Sequence, residues 1–149
     1  MFNENLKLSG QVAIVLRDKD GNVKEERTEK NLVVTSGLNY IASRIKDASA
    51  TAMTHMALGS GTTAESAGQT DLVTLLGSRE ALDSTTVTAN AVAYVASFEA
   101  GDATGAVTEA GIFNASTSGT MLCRVKFDVV NKAADDTMTV TWTITVAAS

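Results

Sequence analysis

The sequence predicts an all-β fold, a single domain of the β-sandwich or jelly-roll type with one main helix near residues 37–47. The stretch 137–146 reads TMTVTWTITV, in which apolar residues alternate with threonine as on a strand that buries one face. Turn signals recur at short intervals along the 149 residues, which is typical of a sandwich or barrel. One segment, described below, shows a clear helical stripe. No linker long enough to divide the chain separates these segments.

The composition narrows the class of protein. The formal net charge is −5 and only 19% of the residues are charged, which argues against a nucleic-acid-binding protein because such proteins carry a basic face. No apolar run approaches the roughly 18 residues of a membrane-spanning helix. The N-terminus lacks the features of a secretory signal, and the single cysteine cannot form an internal disulfide. We therefore expect synthesis in the cytoplasm, without membrane attachment.

The first third of the chain is predicted to form an N-terminal arm and a hairpin. Residues 1–10 are polar and weakly patterned, so they form a predicted N-terminal arm, either disordered or ordered on a neighbouring subunit. Residues 11–149 form the predicted β domain. Apolar residues alternate from residue 11, and an Asp-Gly pair in the turn 18–22 leads to a second strand over residues 23–34. Charges at nearly every position of residues 24–30 predict an exposed sheet edge.

The middle of the chain is predicted to form the helix and a long loop. Thr35 or Ser36 is the expected N-cap, and the apolar stripe should lie across an end or a face of the sheets. A strand over 54–59 then leads into a flexible loop over 60–68. Beyond it we predict a helical turn over 71–76, closed by Gly77, and a weak strand over 79–83. The stripe consists of Leu38, Ile41, Ala42 and Ile45.

The last part of the chain predicts two further hairpins before the closing strand. The first joins residues 85–89 to 91–99, and the second joins 106–113 to 120–127. Loops are expected over 100–105 and 131–136. We expect Trp142 to be buried on the Phe127 and Val140 side of the core. In the strand 120–127 one predicted apolar face holds Met121, Cys123, Val125 and Phe127, and the opposite face holds Leu122, Arg124 and Lys126.

Several groups of residues imitate functional motifs without completing them. Asp18, Asp20, Asn22 and Glu29 approach a calcium-loop pattern, but Gly21 stands at the fourth loop position, where the motif needs glycine at the sixth. A hairpin turn is the better interpretation. Residues 59–63, GSGTT, are glycine-rich, but no lysine follows to meet a phosphate.

The remaining candidates are single reactive side chains and one group of acids. His55 is the only histidine, and a strand-end or interface position is favoured over a catalytic triad or a zinc site. Cys123 is expected to be a small buried apolar residue. Glu99, Asp102 and Glu109 lie around one loop and are interpreted as solvated acids, although paired carboxylates can perform acid–base catalysis. We therefore predict no catalytic residue, no metal site and no cofactor, and expect that the protein is not an enzyme.

Five stretches together resemble a known class of proteins. They are NLVVTSG at 31–37, THMALGSGTT at 54–63, EAGIF at 109–113, GTMLCR at 119–124, and NK at 131–132 ahead of the strand containing TWTI. These stretches resemble small structural proteins of tailed bacteriophages, a group that includes capsid decoration (cement) proteins and tail-fibre-related proteins. The resemblance spans about residues 30–146, and its motifs consist mostly of turn and core residues.

The resemblance implies a non-enzymatic virion protein, made in the host cytoplasm, that binds the major capsid protein on the outside of the head. It further implies a homotrimer that stabilises capsomer junctions, with contacts from residues 1–9 and from the loops 60–68 or 100–105. The alternative is a tail-fibre or adsorption protein that contacts the host surface. Sugar-binding fibre tips display clustered aromatic residues, and this chain contains 5% aromatic residues, which favours the decoration role.

Overall fold

The computed structural model describes residues 5–46 and 50–148 and confirms the predicted all-β sandwich. Two five-stranded antiparallel sheets face each other, and one helix lies beside them. The elements are β1 (Leu6–Arg17), β2 (Val23–Lys30), β3 (Leu32–Val33), α1 (Thr35–Lys46), β4 (His55–Gly59), β5 (Glu80–Ala81), β6 (Ser84–Thr88), β7 (Ala91–Phe98), β8 (Gly105–Phe113), β9 (Met121–Lys132) and β10 (Thr137–Ala148).

The first sheet has the strand order β2-β1-β10-β7-β6, and the second sheet has the order β3-β9-β8-β4-β5. In the first sheet β10 lies at the centre and pairs with β1 along its whole length, from Leu6 opposite Ala148 to Arg17 opposite Thr137. The other side of β10 pairs with β7. Strand β10, which has the strongest alternation in the sequence, is therefore the central strand of this sheet and pairs with a neighbour on each side.

The main core fills the space between the two sheets. Trp142 is fully buried in it and shares it with Val140 and Phe127, as predicted. The indole Nε1 of Trp142 donates a hydrogen bond of 2.9 Å to Oδ1 of Asn31, so the polar edge of this large side chain has a partner. Apolar side chains of β1, β7 and β10 thus meet those of β4, β8 and β9 across one continuous interior.

The three predicted hairpins are present. In the first, Gly21 adopts a left-handed backbone with φ 86°, and Oδ1 of Asp18 accepts hydrogen bonds from the backbone amides of Asp20 and Asn22. The charged strand β2 lies at an edge of the first sheet, also as predicted. The residues whose alternation predicted the β6–β7 hairpin bury one face of β7 from Tyr94 to Phe98.

Two boundaries near the N-terminus differ from those predicted. Strand β1 begins at Leu6, so residues 6–10 of the expected arm belong to the first sheet, and residues 1–4 lie outside the described residues. The predicted strand 23–34 is divided at Asn31, where the chain leaves the first sheet as β2 and enters the second as β3. The backbone amide of Asn31 donates to the Gly10 carbonyl at this crossing. An added Cβ on Gly10 would overlap the Asn31 side chain.

The helical turn predicted over residues 71–76 does not form. This segment is irregular, and Leu75 makes an isolated bridge with Gly59 at the end of β4. The amides of Val73 and Thr74 donate to the carboxylate of Glu109 instead of to carbonyl groups within a helical turn. Tertiary hydrogen bonds therefore replace the local ones that the sequence favoured.

Helix α1 begins at Thr35, and Lys46 is its last described residue, close to the predicted 37–47; residue 47 lies outside the described residues. Gly37 is its buried position and lies against the backbone of Leu122, where a Cβ would collide. The predicted apolar stripe is not covered by the sheets as expected. Ile41 packs on the core, but Leu38 and Ile45 are 48% and 75% exposed.

The two faces of β9 do not divide into an apolar and a polar side as predicted. Leu122 and Arg124 are as buried as their neighbours Met121 and Cys123. A register irregularity between Ile112 and Phe113 of β8 shifts the pairing at this point. The second sheet is therefore covered on both faces here. Within the described residues no helix is long and apolar enough to cross a membrane.

Candidate functional site

A buried carboxylate lies on the outer face of the second sheet, the face turned away from the main core. Glu109 sits in the middle of β8 and is fully buried under the connection between β4 and β5. Its Oε1 accepts hydrogen bonds from the amides of Gly61 (2.9 Å) and Thr74 (2.8 Å), and its Oε2 accepts one from the amide of Val73 (3.0 Å). One side chain therefore fixes two separated parts of the long connection.

Arg124 on the adjacent strand β9 completes this site, which we call the carboxylate clamp (Gly61, Val73, Thr74, Glu109 and Arg124). Its Nε lies 2.9 Å and its Nη2 2.7 Å from Oε2 of Glu109, and both side chains have no exposed surface. The remaining guanidinium donors reach the Thr63 carbonyl and Oε1 of Gln69. The buried charges are thus paired and hydrogen-bonded to the same connection that covers them.

The electrostatics of the clamp favour the ionised form of the Glu109 carboxylate. Burial by itself raises the pKa of Glu109, but the amides of Thr74 and Val73, the Arg124 guanidinium and the Gly61 amide outweigh it and hold the pKa below its ordinary value. Three backbone amides and the Arg124 guanidinium occupy the two carboxylate oxygens, so neither oxygen is free to accept a proton from a substrate. The clamp therefore stabilises the fold by attaching the connection to the second sheet. The prediction that Glu109 is a solvated loop acid was wrong.

A small second core lies beside the clamp under the same connection. It contains Leu72 together with Phe113 from β8, and the guanidinium of Arg79 lies 3.6 Å from the centre of the Phe113 ring. Arg79 also donates to the carbonyls of Ala115 and Ser118 in the β8–β9 turn. The connection of residues 60–79 is therefore a covering layer attached by the clamp, by Leu72 and by Arg79.

The glycine-rich stretch 59–63 forms part of this layer. The Gly61 amide, which a phosphate would need, already donates to Glu109. A Cβ at Gly59 or Gly61 would overlap Glu109, so close approach of the chain explains these glycines. Asp18, Asp20 and Asn22 form the hairpin turn favoured above, and Glu29 lies along β2. Among the described residues, no group of three or more His, Cys, Asp and Glu side chains is arranged to hold a metal ion.

The single-residue candidates are separated from one another. His55 begins β4, and its Nδ1 lies 2.8 Å from the hydroxyl of Thr54. Cys123 is fully buried in the main core, and burial raises the pKa of its thiol well above the usual value. The structure places Glu109 away from the loop acids. Asp102 remains near Glu99, and its carboxylate accepts a hydrogen bond from the backbone amide of Glu99.

Two further buried charges hold the opposite end of the sandwich. Lys132 donates from Nζ to the Glu99 carbonyl at 2.8 Å. Asp136 accepts from Nζ of Lys24 at 2.7 Å and from the amide of Ala133 at 2.8 Å. Mainly the Lys24 hydrogen bond, and then that of the Ala133 amide, lower the pKa of Asp136. These contacts join the β9–β10 turn to β2 and to the end of β7, and sequence reasoning had treated them as ordinary loop residues.

An apolar groove opens between α1 and the first sheet, with a volume of about 400 Å³. Arg44 is its only charged lining residue among the described residues. Burial, with Tyr40 and Cys123 nearby, raises the pKa of Tyr94 in the groove to about 12, so this phenol stays neutral. Its lining includes Leu8, Ile45, Thr85, Val87, Tyr94 and Val146.

The groove is part of a longer exposed region, which we call the apolar strip. Ten large apolar side chains are exposed among the described residues. Six of them line either this groove or a second depression beside it, and Leu8 lines both the groove and the depression. Exposed apolar patches of this kind mark interaction surfaces more often than isolated apolar residues do. The six residues are Leu6, Leu32, Leu38, Ile45, Val87 and Val146.

Sequence reasoning missed the clamp and the strip for different reasons. Glu109 lies inside the predicted strand 106–113, but it was grouped with the loop acids Glu99 and Asp102 because it is close to them in the sequence. The partner Arg124 could not be identified because the pairing of β8 with β9 decides which cation meets which acid. The exposed helical stripe was visible in the sequence but was assigned to the interior. Comparison of the chain with protein-family models, with curated proteins and with solved structures found no significant match.

Proposed function

We propose that this protein is a non-enzymatic structural protein of a tailed-phage virion that decorates the outside of the head. In this role it binds the major capsid protein and holds neighbouring capsomers together. The observation that carries the proposal is where the resembling motifs lie in the fold. They are far apart in the sequence, yet several of them meet in the carboxylate clamp.

The contacts between the motifs are specific. Gly61 and Thr63 come from the second motif, Glu109 from the third and Arg124 from the fourth, and hydrogen bonds connect all three motifs. Asn31 at the start of the first motif accepts the indole N–H of Trp142 from the last. The residues that carry the resemblance are thus residues that hold this fold together, so a likeness in them supports a likeness in architecture.

The distribution of polar groups supports adhesion rather than catalysis. The buried charged side chains each serve a contact within the protein: Glu109 with Arg124, Lys132 with the Glu99 carbonyl, and Asp136 with Lys24. The exterior instead offers an apolar strip and exposed loops. Structural components of a shell act by burying surface at many symmetric contacts, and the resemblance implies that copies of the chain associate.

The aromatic residues favour the head over the tail. Phe98, Phe113, Phe127 and Trp142 are buried, so none of these rings is displayed for stacking on host sugars. A role at the fibre tip would need such rings on the surface. We expect contact with the capsid through exposed residues of the loop 60–68 or of the loop 100–105.

The test uses particles assembled without the protein, to which the purified chain is added. We expect binding to heads, and a rise in the temperature at which packaged DNA is released. Variants that replace Thr62 and Ala64, exposed residues of the loop 60–68, with lysine should bind more weakly. The paired control replaces Lys19 and Asp20, exposed in the first hairpin turn, with alanine. If heads without the protein are equally stable but the phage fails to adsorb, the decoration role is wrong and the tail-fibre alternative replaces it.

A further inference from the structure

We infer that strand β6 is an interface strand, and that two copies of this chain associate by antiparallel pairing of β6 with β6 about a twofold axis. The inference rests on the proposed function only in assuming that copies associate, and it gives a twofold dimer in place of the homotrimer that the resemblance implies. It specifies the surface through which they do so. The occupant of the exposed edge is therefore a second copy of this chain.

The first observation is that β6 is an unprotected edge. It ends the first sheet, all five of its residues are exposed, and its sequence STTVT contains no charge and no proline. The opposite edge of the same sheet, β2, carries six charges in eight residues. Edge charges prevent strands from pairing with other chains, and short edges serve the same purpose. Strands β3 and β5, which end the second sheet, have two residues each.

The second observation is the direction of the free backbone groups. The two-residue turn at Ala89 and Asn90 makes Thr88 and Ala91 the closing pair of the hairpin. Bonded and non-bonded pairs alternate along an antiparallel ladder, so the backbone groups of Thr86 face β7. Those of Thr85 and Val87 therefore face outward. Two outward-facing residues on each copy supply a short ladder of the kind that joins sheets across an interface.

The third observation is that the edge continues into the apolar strip. Thr85 and Val87 line the groove, and the Val87 side chain is 70% exposed. In a pairing centred on Thr86, Val87 of one copy lies opposite Thr85 of the other, on the groove side of both sheets. The two grooves then become one continuous depression. Ile45 and Val146, exposed in the single chain, lie along the same groove.

Charge favours a second copy over another partner class. The chain has a net charge of −5, and repulsion between two copies is weakest where the surfaces that meet carry no charge, because salt screens charges farther apart than about 8–10 Å. The β6–β7 hairpin has no charged residue from Ser84 to Phe98. An uncharged, β-branched edge is complementary to itself, whereas a basic or acidic partner would find no counter-charge along it.

The first experiment measures mass in solution. The wild-type protein should have twice the 15.5 kDa mass of the chain by sedimentation equilibrium. Val87→Lys should be monomeric with an unchanged circular dichroism spectrum, because the lysine enters the interface but not the core. Val23→Lys is the matched control: Val23 is an exposed valine on the charged edge β2, and its variant should stay dimeric.

The second experiment tests the register. Thr86 lies opposite Thr86 of the second copy, with Cβ atoms about 5 Å apart, so Thr86→Cys should form an intermolecular disulfide under mild oxidation. The native Cys123 is buried and should not react. Val23→Cys should remain monomeric on a non-reducing gel. A monomeric wild-type protein, a trimer, or a dimer that persists in Val87→Lys would each overturn the inference. None of these results bears on whether the protein binds heads.

Discussion

The buried pair of Glu109 and Arg124 holds the connection of residues 60–79 on the second sheet. Replacing Glu109 with glutamine leaves the Arg124 guanidinium buried without its counter-charge, because neither side chain has exposed surface. We expect the free energy of unfolding to fall by roughly 3–5 kcal/mol, the usual cost of breaking such a pair. Chemical denaturation of Glu109→Gln, beside the exposed-site control Glu99→Gln, measures the difference.

Removing both charges should be less damaging than removing one. The double variant Glu109→Gln, Arg124→Met leaves no unpaired charge in the interior, so its loss should be smaller than the sum of the two single losses. Strictly additive losses would mean that the two side chains stabilise the covering layer independently. A Glu109→Gln variant as stable as the wild type would contradict the role of the clamp.

Trp142 is the second residue with a large expected effect. Its side chain is fully buried between the sheets and carries a hydrogen bond to Asn31. Trp142→Ala should cost roughly 3–5 kcal/mol of unfolding free energy, because it leaves a cavity in the main core. Trp142→Phe should cost less than Trp142→Ala because the phenyl ring fills most of that volume, although the variant loses the indole donor. Equal stability of wild type and Trp142→Ala by thermal unfolding would contradict this packing.

At the scale of elements, the turn between β6 and β7 contains a residue in an unfavourable conformation. Ala89 has φ 50°, a left-handed backbone that alanine adopts at a cost of about 1–2 kcal/mol. Ala89→Gly relieves that cost but adds freedom to the unfolded chain, so a net gain of about 0.5–1 kcal/mol is expected. Ala93→Gly, in the adjacent strand β7, should instead lose about 0.5–1 kcal/mol. Both values follow from urea denaturation, and a loss in Ala89→Gly would contradict the turn geometry.

The elements that the sequence predicted well are those fixed by local patterns. The alternation of β10 and the turn residues around Gly21 depend on neighbours in the chain, so their positions needed no knowledge of the sheets. The segment 71–76 was predicted wrongly because Glu109, 35 residues away in sequence from Thr74, binds its amides. The division at Asn31 was missed for the same reason, since its partners lie in Gly10 and Trp142.

Helix α1 shows how a correct pattern can support an incorrect placement. The stripe of Leu38, Ile41 and Ile45 is helical in spacing, and the helix forms where predicted. Burial cannot be inferred from the stripe alone, because an apolar face is equally suited to the interior and to another subunit. In the single chain Gly37 makes the close contact with β9, and Leu38 and Ile45 face outward. The sequence thus contained the apolar stripe but not its placement in the fold.

At the scale of the whole molecule, the two sheets are joined by contacts that are distributed around the core. The clamp attaches the covering layer to the second sheet, and Asp136 attaches the β9–β10 turn to Lys24 of β2. Asn31 links β2 and β3 while it binds Trp142 in the centre. Because these contacts connect elements from both ends of the chain, we expect the protein to unfold as one cooperative unit.

Acid should weaken this unit through carboxylates that the fold keeps ionised. The pKa values of Glu109 and Asp136 are lowered from ordinary values of 4.5 and 3.8, so the unfolded chain binds protons at a higher pH than the folded protein does. Their stabilisation is complete above these ordinary values and is lost as the pH falls through the lower folded values. The free energy of unfolding of the wild type should therefore decline below about pH 4.5. Glu109→Gln, although less stable at pH 7, should show a shallower decline in urea denaturation from pH 7 to pH 3. Parallel declines in the two proteins would show that Glu109 does not bind its proton differently in the folded and unfolded states.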